Sequence, residues 1–257
     1  MTATIIVTMA GEGRRFRDAG FDLPKFAIPV HGRTLLDWSL YSLTRFAAAR
    51  ARVVFVARAA DNAIGAIARA CAATGFQDWS VVTVDGPTDG QATTVLRAEI
   101  AVADPQERLL VYNVDTLVWP GALDPAAFRG DGWIPCFPGA GEAWSFARAD
   151  AAGRVAEVRE KRRISADATV GLYGFANWQA FRAAYDATYG GGAPREAGEC
   201  YVAPLYNAMI AAGADVRLSR LPASAVVPLG TPDDVARFAA TVPVEPDFAP
   251  RRREAAA

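Results

Sequence analysis

Ile5-Ile6-Val7-Thr8-Met9-Ala10-Gly11-Glu12-Gly13-Arg14-Arg15-Phe16, with Pro24-Lys25 and Pro29-Val30 after it, decides the reading of this 257-residue chain. The first five residues are apolar and largely β-branched, which suits a buried strand. Gly11 and Gly13 follow at once, so the chain leaves that strand through a turn whose N–H groups are unshielded by Cβ atoms. Such a turn can cradle phosphates. Arg14 and Arg15 set guanidinium forks beside it, suited to bidentate phosphate contacts. Lys25 returns a compact charge fixed behind a proline. The stretch lacks the Gly-Lys-Ser/Thr of a Walker loop, and also the third glycine and immediate helix of a dinucleotide fingerprint. On the glycines alone, an ordinary strand-to-loop turn with solvated arginines is an equal reading.

Strand and helix patterns then alternate, which predicts a parallel sheet with crossover helices. Leu35, Leu36, Trp38, Leu40, Leu43 and Phe46 have helical spacing over 34–46. Strands are predicted at 53–57, 80–84 and 109–113, with a helix capped by Asp61 and running to Ala73, and another over 91–100. Asp115 follows the strand over 109–113 at its C-terminal end, where open α/β sheets place ligands. A carboxylate there suits Mg²⁺, which takes carboxylate and phosphate oxygens together; an aspartate capping a turn is the alternative. From Trp133 onward short strands cluster, with Asp150–Gly153 as a hairpin turn. Asn177 to Tyr189 is an amphipathic helix ended by three glycines, and Thr231-Pro232-Asp233-Asp234 opens a late one. The expected fold is α/β, a mixed, largely parallel central sheet flanked by helices.

Net charge is −1, which argues against a nucleic-acid partner. No apolar run reaches membrane-spanning length, so no membrane partner is expected. Three scattered cysteines without metal-ligand spacing, and no cationic leader before Ile5, point to reduced thiols and a cytoplasmic setting. Lysine occurs only at Lys25 and Lys161, while the remaining 25 of the 27 basic residues are arginine. A lysine in such a chain points to a need for a compact ammonium that arginine does not imitate.

The glycine stretch with Pro24-Lys25 and Pro29-Val30-His31-Gly32 resembles the signature of the sugar-1-phosphate nucleotidyltransferases, whose fold is similar to that of the A-type glycosyltransferases. Thr88-Asp89-Gly90-Gln91, Glu160-Lys161-Arg162-Arg163-Ile164-Ser165, Gly198-Glu199-Cys200-Tyr201-Val202-Ala203-Pro204 and Leu229-Gly230-Thr231-Pro232 resemble the small branch that serves capsule and surface polysaccharides. The likeness covers roughly residues 4–240. It implies one domain over 1–242, with a nucleotide half over about 1–130, an acceptor half over about 131–242, and a loose tail over 243–257.

The resemblance implies roles as well. Ala10, Gly11, Gly13, Arg14, Gly90 and Gln91 would hold the nucleotide; Arg14, Lys25 and Asp115 would act on the phosphates. Arg15 is a weaker candidate than Arg14. Glu160, Lys161, Gly174 and Glu199 would line the acceptor side. Asp115 would carry Mg²⁺. Where the wider family often has a second metal aspartate this chain has Pro228-Leu229, so Glu199 or Glu160 is the substitute considered. The implied partners are a nucleoside triphosphate, with CTP favoured, and a phosphorylated acceptor; self-association stays open. Two rivals remain. A glycosyltransferase would usually carry Asp-x-Asp where this chain has Asn113-Val114-Asp115, and a nucleotide-sugar sensor would bind without turnover.

Overall fold

Strand and helix do alternate in the computed structural model, which describes residues 3–192, 195 and 198–241. The tail expected over 243–257 lies outside the described residues. The strands are β1 (Ala3–Thr8), β2 (Pro29–Val30), β3 (Arg33–Thr34), β4 (Arg52–Arg58), β5 (Trp79–Val84), β6 (Arg108–Asn113) and β7 (Thr116–Val118). The second half adds β8 (Gly132–Pro138), β9 (Ser145–Ala149), β10 (Val155–Glu160), β11 (Asp167–Thr169), β12 (Leu172–Phe175), β13 (Val216–Arg220) and β14 (Val226–Pro228). The α-helices are α1 (Arg14–Asp18), α2 (Leu35–Tyr41), α3 (Thr44–Ala48), α4 (Ile64–Thr74), α5 (Gln91–Leu96), α6 (Trp178–Tyr189), α7 (Leu205–Ala211) and α8 (Pro232–Ala239).

One mixed sheet runs β5-β4-β1-β6-β12-β8-β11-β9-β10, with β13 joined to β8. Its β5-β4-β1-β6 block is parallel. Ile5, Ile6 and Val7 have no exposed surface, because helices cover both faces of that block. Ile5 and Val7 face one core with Leu36, Leu40 and Phe55; Ile6 faces the other with Val54, Val95 and Val111. The chain winds outward from β1 through β4 to β5, then returns to β6 on the other side of β1. Loops leaving β1 and β6 therefore part company at a topological switch point, the crevice where such sheets bind ligands. A third cluster joins Phe16, Ile28, Val30 and Trp38 to Leu229 and Phe238 and so ties the loop after β1 to α8.

Several local expectations change. Gly13, at φ 63°, turns the chain into the five-residue α1, where no immediate helix was expected. The helix over 34–46 breaks after Tyr41, with Leu43 at φ −102° between its two parts, and the Ser42 hydroxyl at the break accepts from Val118 N–H at 2.8 Å. Thr34 caps its first half, with Asp37 returning the bond. Asp61 does not cap α4; its carboxylate pairs with Arg58 at 2.7 Å, and the helix starts at Ile64. The helix over 91–100 shortens to Gln91–Leu96, followed by a 3-10 turn at Glu99–Ala101. His31, at φ 49°, fastens the β2–β3 turn to α8 through its Nε2, 2.8 Å from the Phe238 carbonyl oxygen.

Candidate functional site

The loop after β1 is held at its root by the Met9 N–H, which donates to the Val56 carbonyl at 2.8 Å. Nothing lies within 4 Å of where a Cβ on Gly11 would stand, so that backbone is open to a ligand. Gly13 is required for a different reason: a Cβ there would come within 3.3 Å of the Lys25 Cβ. Arg14 is highly exposed, yet its Nε donates to Glu12 Oε2 at 2.7 Å, and Arg17 reaches the same oxygen at 3.3 Å. That bond holds the Glu12 carboxyl below its ordinary value and the Arg14 guanidinium above its own. Glu12 went unnoticed in the sequence, though it lies between the two glycines.

Lys25 opens a 3-10 turn behind Pro24 and swings its ammonium to Asp115, where Nζ donates to Oδ2 at 2.6 Å. Its charge also stands 5.8 Å from the centre of the Phe16 ring. Asp115 occupies the bend between β6 and β7, and its carbonyl accepts from Leu229 N–H at 2.8 Å. Pairing of β14 with β7 sets Gly230 beside it. A Cβ on Gly230 would stand 3.7 Å from Asp115 Oδ2 and 3.8 Å from Asp234 Oδ2. Gly230 thus lies near both carboxylates, and the oxygens of Asp234 accept from Thr231 and Arg237 at the start of α8. Glu199 stands within electrostatic reach of Arg14 and Tyr201.

Gly90 has φ 126°, and a Cβ there would meet Cys200 N at 2.6 Å. The approach is used: Cys200 N–H donates to the Asp89 carbonyl at 2.7 Å, and Ala92 N–H donates to the Cys200 carbonyl at 2.8 Å. Gln91 Nε2 reaches Thr8 Oγ1 at 3.3 Å, at the C-terminal end of β1. Nearby, Asn113 keeps a buried Oδ1 without a partner among the described residues, packed over Gly171, which has no room for a Cβ.

On the other half, Lys161 follows β10 at φ 50°, with its ammonium donating to the Tyr201 hydroxyl at 2.5 Å. Glu160 accepts from Ser145 Oγ, whose oxygen also takes the Tyr173 hydroxyl at 3.3 Å. Gly174 is placed on the acceptor side by resemblance. It lies in the packed middle of β12 opposite Leu110, where a Cβ would strike the Phe128 ring at 2.7 Å. Its role is to admit that ring; the glycine at the crevice end of β12 is Gly171.

No group of three or more His, Cys, Asp or Glu among the described residues could cage a metal. Asp115 still fits Mg²⁺, which commonly takes one or two carboxylates together with substrate phosphates. A cavity of about 620 Å³ lies elsewhere, between Glu99 and α6. Its Arg182 is already paired with Glu99 at 3.6 Å and Asp186 at 3.0 Å. No helix among the described residues is long and apolar enough to cross a membrane.

Residues 5–166 match the family model of the MobA-like NTP transferase domain. A nucleoside-diphosphate-sugar pyrophosphorylase from Vibrio cholerae RC9 superposes with TM-score 0.80 at 29% identity, over 91% of this chain and 99% of that one. An inositol-1-phosphate CTP transferase from T. maritima gives 0.71 at 15% identity, over 94% and 98%. A UDP-glucose pyrophosphorylase complexed with UDP-glucose gives 0.72 at 14%, over 93% and 97%. The last two are evidence of shared fold. No curated protein matches by sequence. The chain belongs to the MobA-like NTP transferase family and is a nucleotidyltransferase.

Proposed function

We propose that this member of the MobA-like NTP transferase family moves a nucleoside monophosphate from a nucleoside triphosphate, CTP first, to a phosphorylated acceptor such as a sugar phosphate. An acceptor phosphate oxygen attacks the α-phosphorus in line. The bond from that phosphorus to the bridging oxygen breaks, and the electron pair leaves with pyrophosphate. A phosphate oxygen is already ionised near neutrality, so no general base is required and His31 is free for its structural task. Catalysis is positioning and charge neutralisation.

The observation that carries this reading is the meeting of Lys25 and Asp115 beside the open Gly11 backbone. Arg14, steadied by Glu12, and the Gly11–Gly13 turn would receive the triphosphate, and Lys25 would meet charge as it moves toward pyrophosphate. Gly90 and Gln91 would take the base and ribose, since a glutamine amide both donates and accepts. Asp115 would hold Mg²⁺, which when bound neutralises phosphate oxygens. Lys161, with Glu160 and Glu199, would receive the acceptor. Preference for CTP and a place in capsule or surface-polysaccharide synthesis rest on the sequence likeness to that branch. The three buried free cysteines suit a cytoplasmic setting.

The test is a matrix of four triphosphates against phosphorylated acceptors, with Mg²⁺, read by pyrophosphate release and mass spectrometry. Pyrophosphate and a nucleotide-linked product should appear together, most with CTP. Nucleotide binding without pyrophosphate across a broad panel would instead favour the sensor.

A further inference from the structure

Lys161 is an ammonium without a counter-ion: among the described residues it forms no ion pair, although Arg14 and Lys25 are each matched by a carboxylate. Its partner is a phenol. Nζ donates to the Tyr201 hydroxyl at 2.5 Å and stands 4.6 Å from the centre of the same ring. Both contacts fix a cation without cancelling its charge. Burial raises the Tyr201 phenol above its ordinary value, so the partner is neutral at neutral pH. Glu160 and Glu199 lie within electrostatic reach of that phenol but form no ion pair with the ammonium among the described residues.

The backbone that carries Tyr201 is tied down. Its carbonyl accepts from the Tyr189 hydroxyl at 2.8 Å, and its neighbour Cys200 is bonded on both sides to the Asp89–Ala92 segment. The segment expected to hold the nucleotide and the phenol that holds Lys161 are therefore one unit. A charged group kept uncompensated and immobile is prepared for an incoming anion, because neither desolvation of a counter-ion nor loss of side-chain freedom has to follow.

We propose that Tyr201 is a positioning residue that holds the Lys161 ammonium, unneutralised, for the phosphate of the acceptor. This rests on the proposed transferase reading, in which Lys161 faces the acceptor.

The experiment has two arms. In the first, acceptor KM, kcat and triphosphate affinity are compared for wild type, Tyr201→Phe, Tyr201→Leu, Lys161→Met and Tyr201→Phe/Lys161→Met. Removing the hydroxyl should raise the acceptor KM about fivefold, and removing the ring as well about thirtyfold, with triphosphate affinity within about twofold of wild type. On the Lys161→Met background Tyr201→Phe should add nothing, as expected of two residues acting as one. In the second arm, protein carrying isotope-labelled lysine gives two side-chain signals, Lys161 being the one lost in Lys161→Met. Inorganic phosphate should move that signal in wild type and move it less in Tyr201→Phe. This arm needs no turnover, so it reads the Tyr201–Lys161 receptor even if no acceptor in the panel reacts. A wild-type acceptor KM in Tyr201→Phe, independent effects in the double variant, or an equal loss of triphosphate affinity would each overturn the proposal. So would a Lys161 signal indifferent to phosphate.

Discussion

Lys25 and Asp115, ninety residues apart in sequence, meet at 2.6 Å across the crevice between the β1 and β6 loops. Each is the other's counter-ion in the free protein, and both side chains remain partly open to solvent. On the proposed reading, magnesium triphosphate would bring a cation for the aspartate and anions for the lysine. The pair can thus exchange partners without leaving either charge alone.

Asp115→Asn keeps the shape and removes the charge. Turnover should fall at least a hundredfold, the ~3 kcal/mol of one key electrostatic group. Thermal unfolding should barely change, since a partly exposed pair contributes little to stability. Triphosphate affinity without divalent metal should hold or improve, because Lys25 loses its competitor. Near-normal kcat at saturating Mg²⁺ would return Asp115 to a turn-capping role.

Lys25→Arg retains charge but puts a bulkier planar fork where the ammonium now meets Asp115 at 2.6 Å. We expect most of kcat to be lost with triphosphate binding largely kept, because the contact matters as charge moves toward pyrophosphate. Arg182→Lys on the outer face of α6 is the control. Equal kinetics for the two variants would leave the scarcity of lysine without functional meaning.

Gly90→Ala sets a methyl within 2.6 Å of Cys200 N at a φ of 126°. Gly75→Ala, at φ 85° with nothing within 4 Å, carries backbone strain alone. Chemical denaturation should show the first losing about 1–3 kcal/mol more than the second, the usual cost of overpacking. Triphosphate binding should weaken only in the first. Matching losses in both would mean that the close approach to Cys200 is unimportant.

Cys71, Cys136 and Cys200 are buried, and burial pushes the Cys71 thiol up to about 12 and the Cys136 thiol well above its ordinary value. A thiol-disulfide reagent at pH 8 should therefore react slowly with native protein and fully after denaturation. Because the folded value for Cys71 lies above the unfolded one, its contribution to stability is complete below about pH 8.5 and declines above that. Melting temperature measured at pH 7 and pH 10 should show that direction. Fast labelling of the native chain at pH 8 would contradict the burial.

The parallel block was legible because strands buried on both faces must be apolar at every position, as in Ile5–Val7 and Leu109–Tyr112. Asp115 was legible from its place after such a strand. What the sequence hid were bonds between distant residues. The Ser42 hydroxyl at the end of α2 holds Val118 N–H, and no local pattern announces that. Tyr201, among Cys200, Val202 and Ala203, reads as one more core residue until Lys161 is seen against it. Gly174, named from the resemblance, packs under Phe128, and a glycine that admits a ring looks the same in sequence as one that admits a ligand; Gly171 faces Asn113. Asp234 was read as a helix-start carboxylate, which it is, while its approach to Asp115 depends on β14 pairing with β7.

The bonds from Cys200 to Asp89 and Ala92 run between backbones, so among changes of side chain at those three positions only a proline at Cys200 or Ala92 removes a donor. On the proposed assignment the base-reading segment and the acceptor-reading segment are then inherited together. A chimera that imports residues 88–92 from a relative with another nucleotide preference also changes the footing of residues 199–202. Such grafts should work when both segments travel as a pair and fail when either travels alone. Substrate range in this architecture would diversify by exchange of matched halves, with the lysine after β10 left in place.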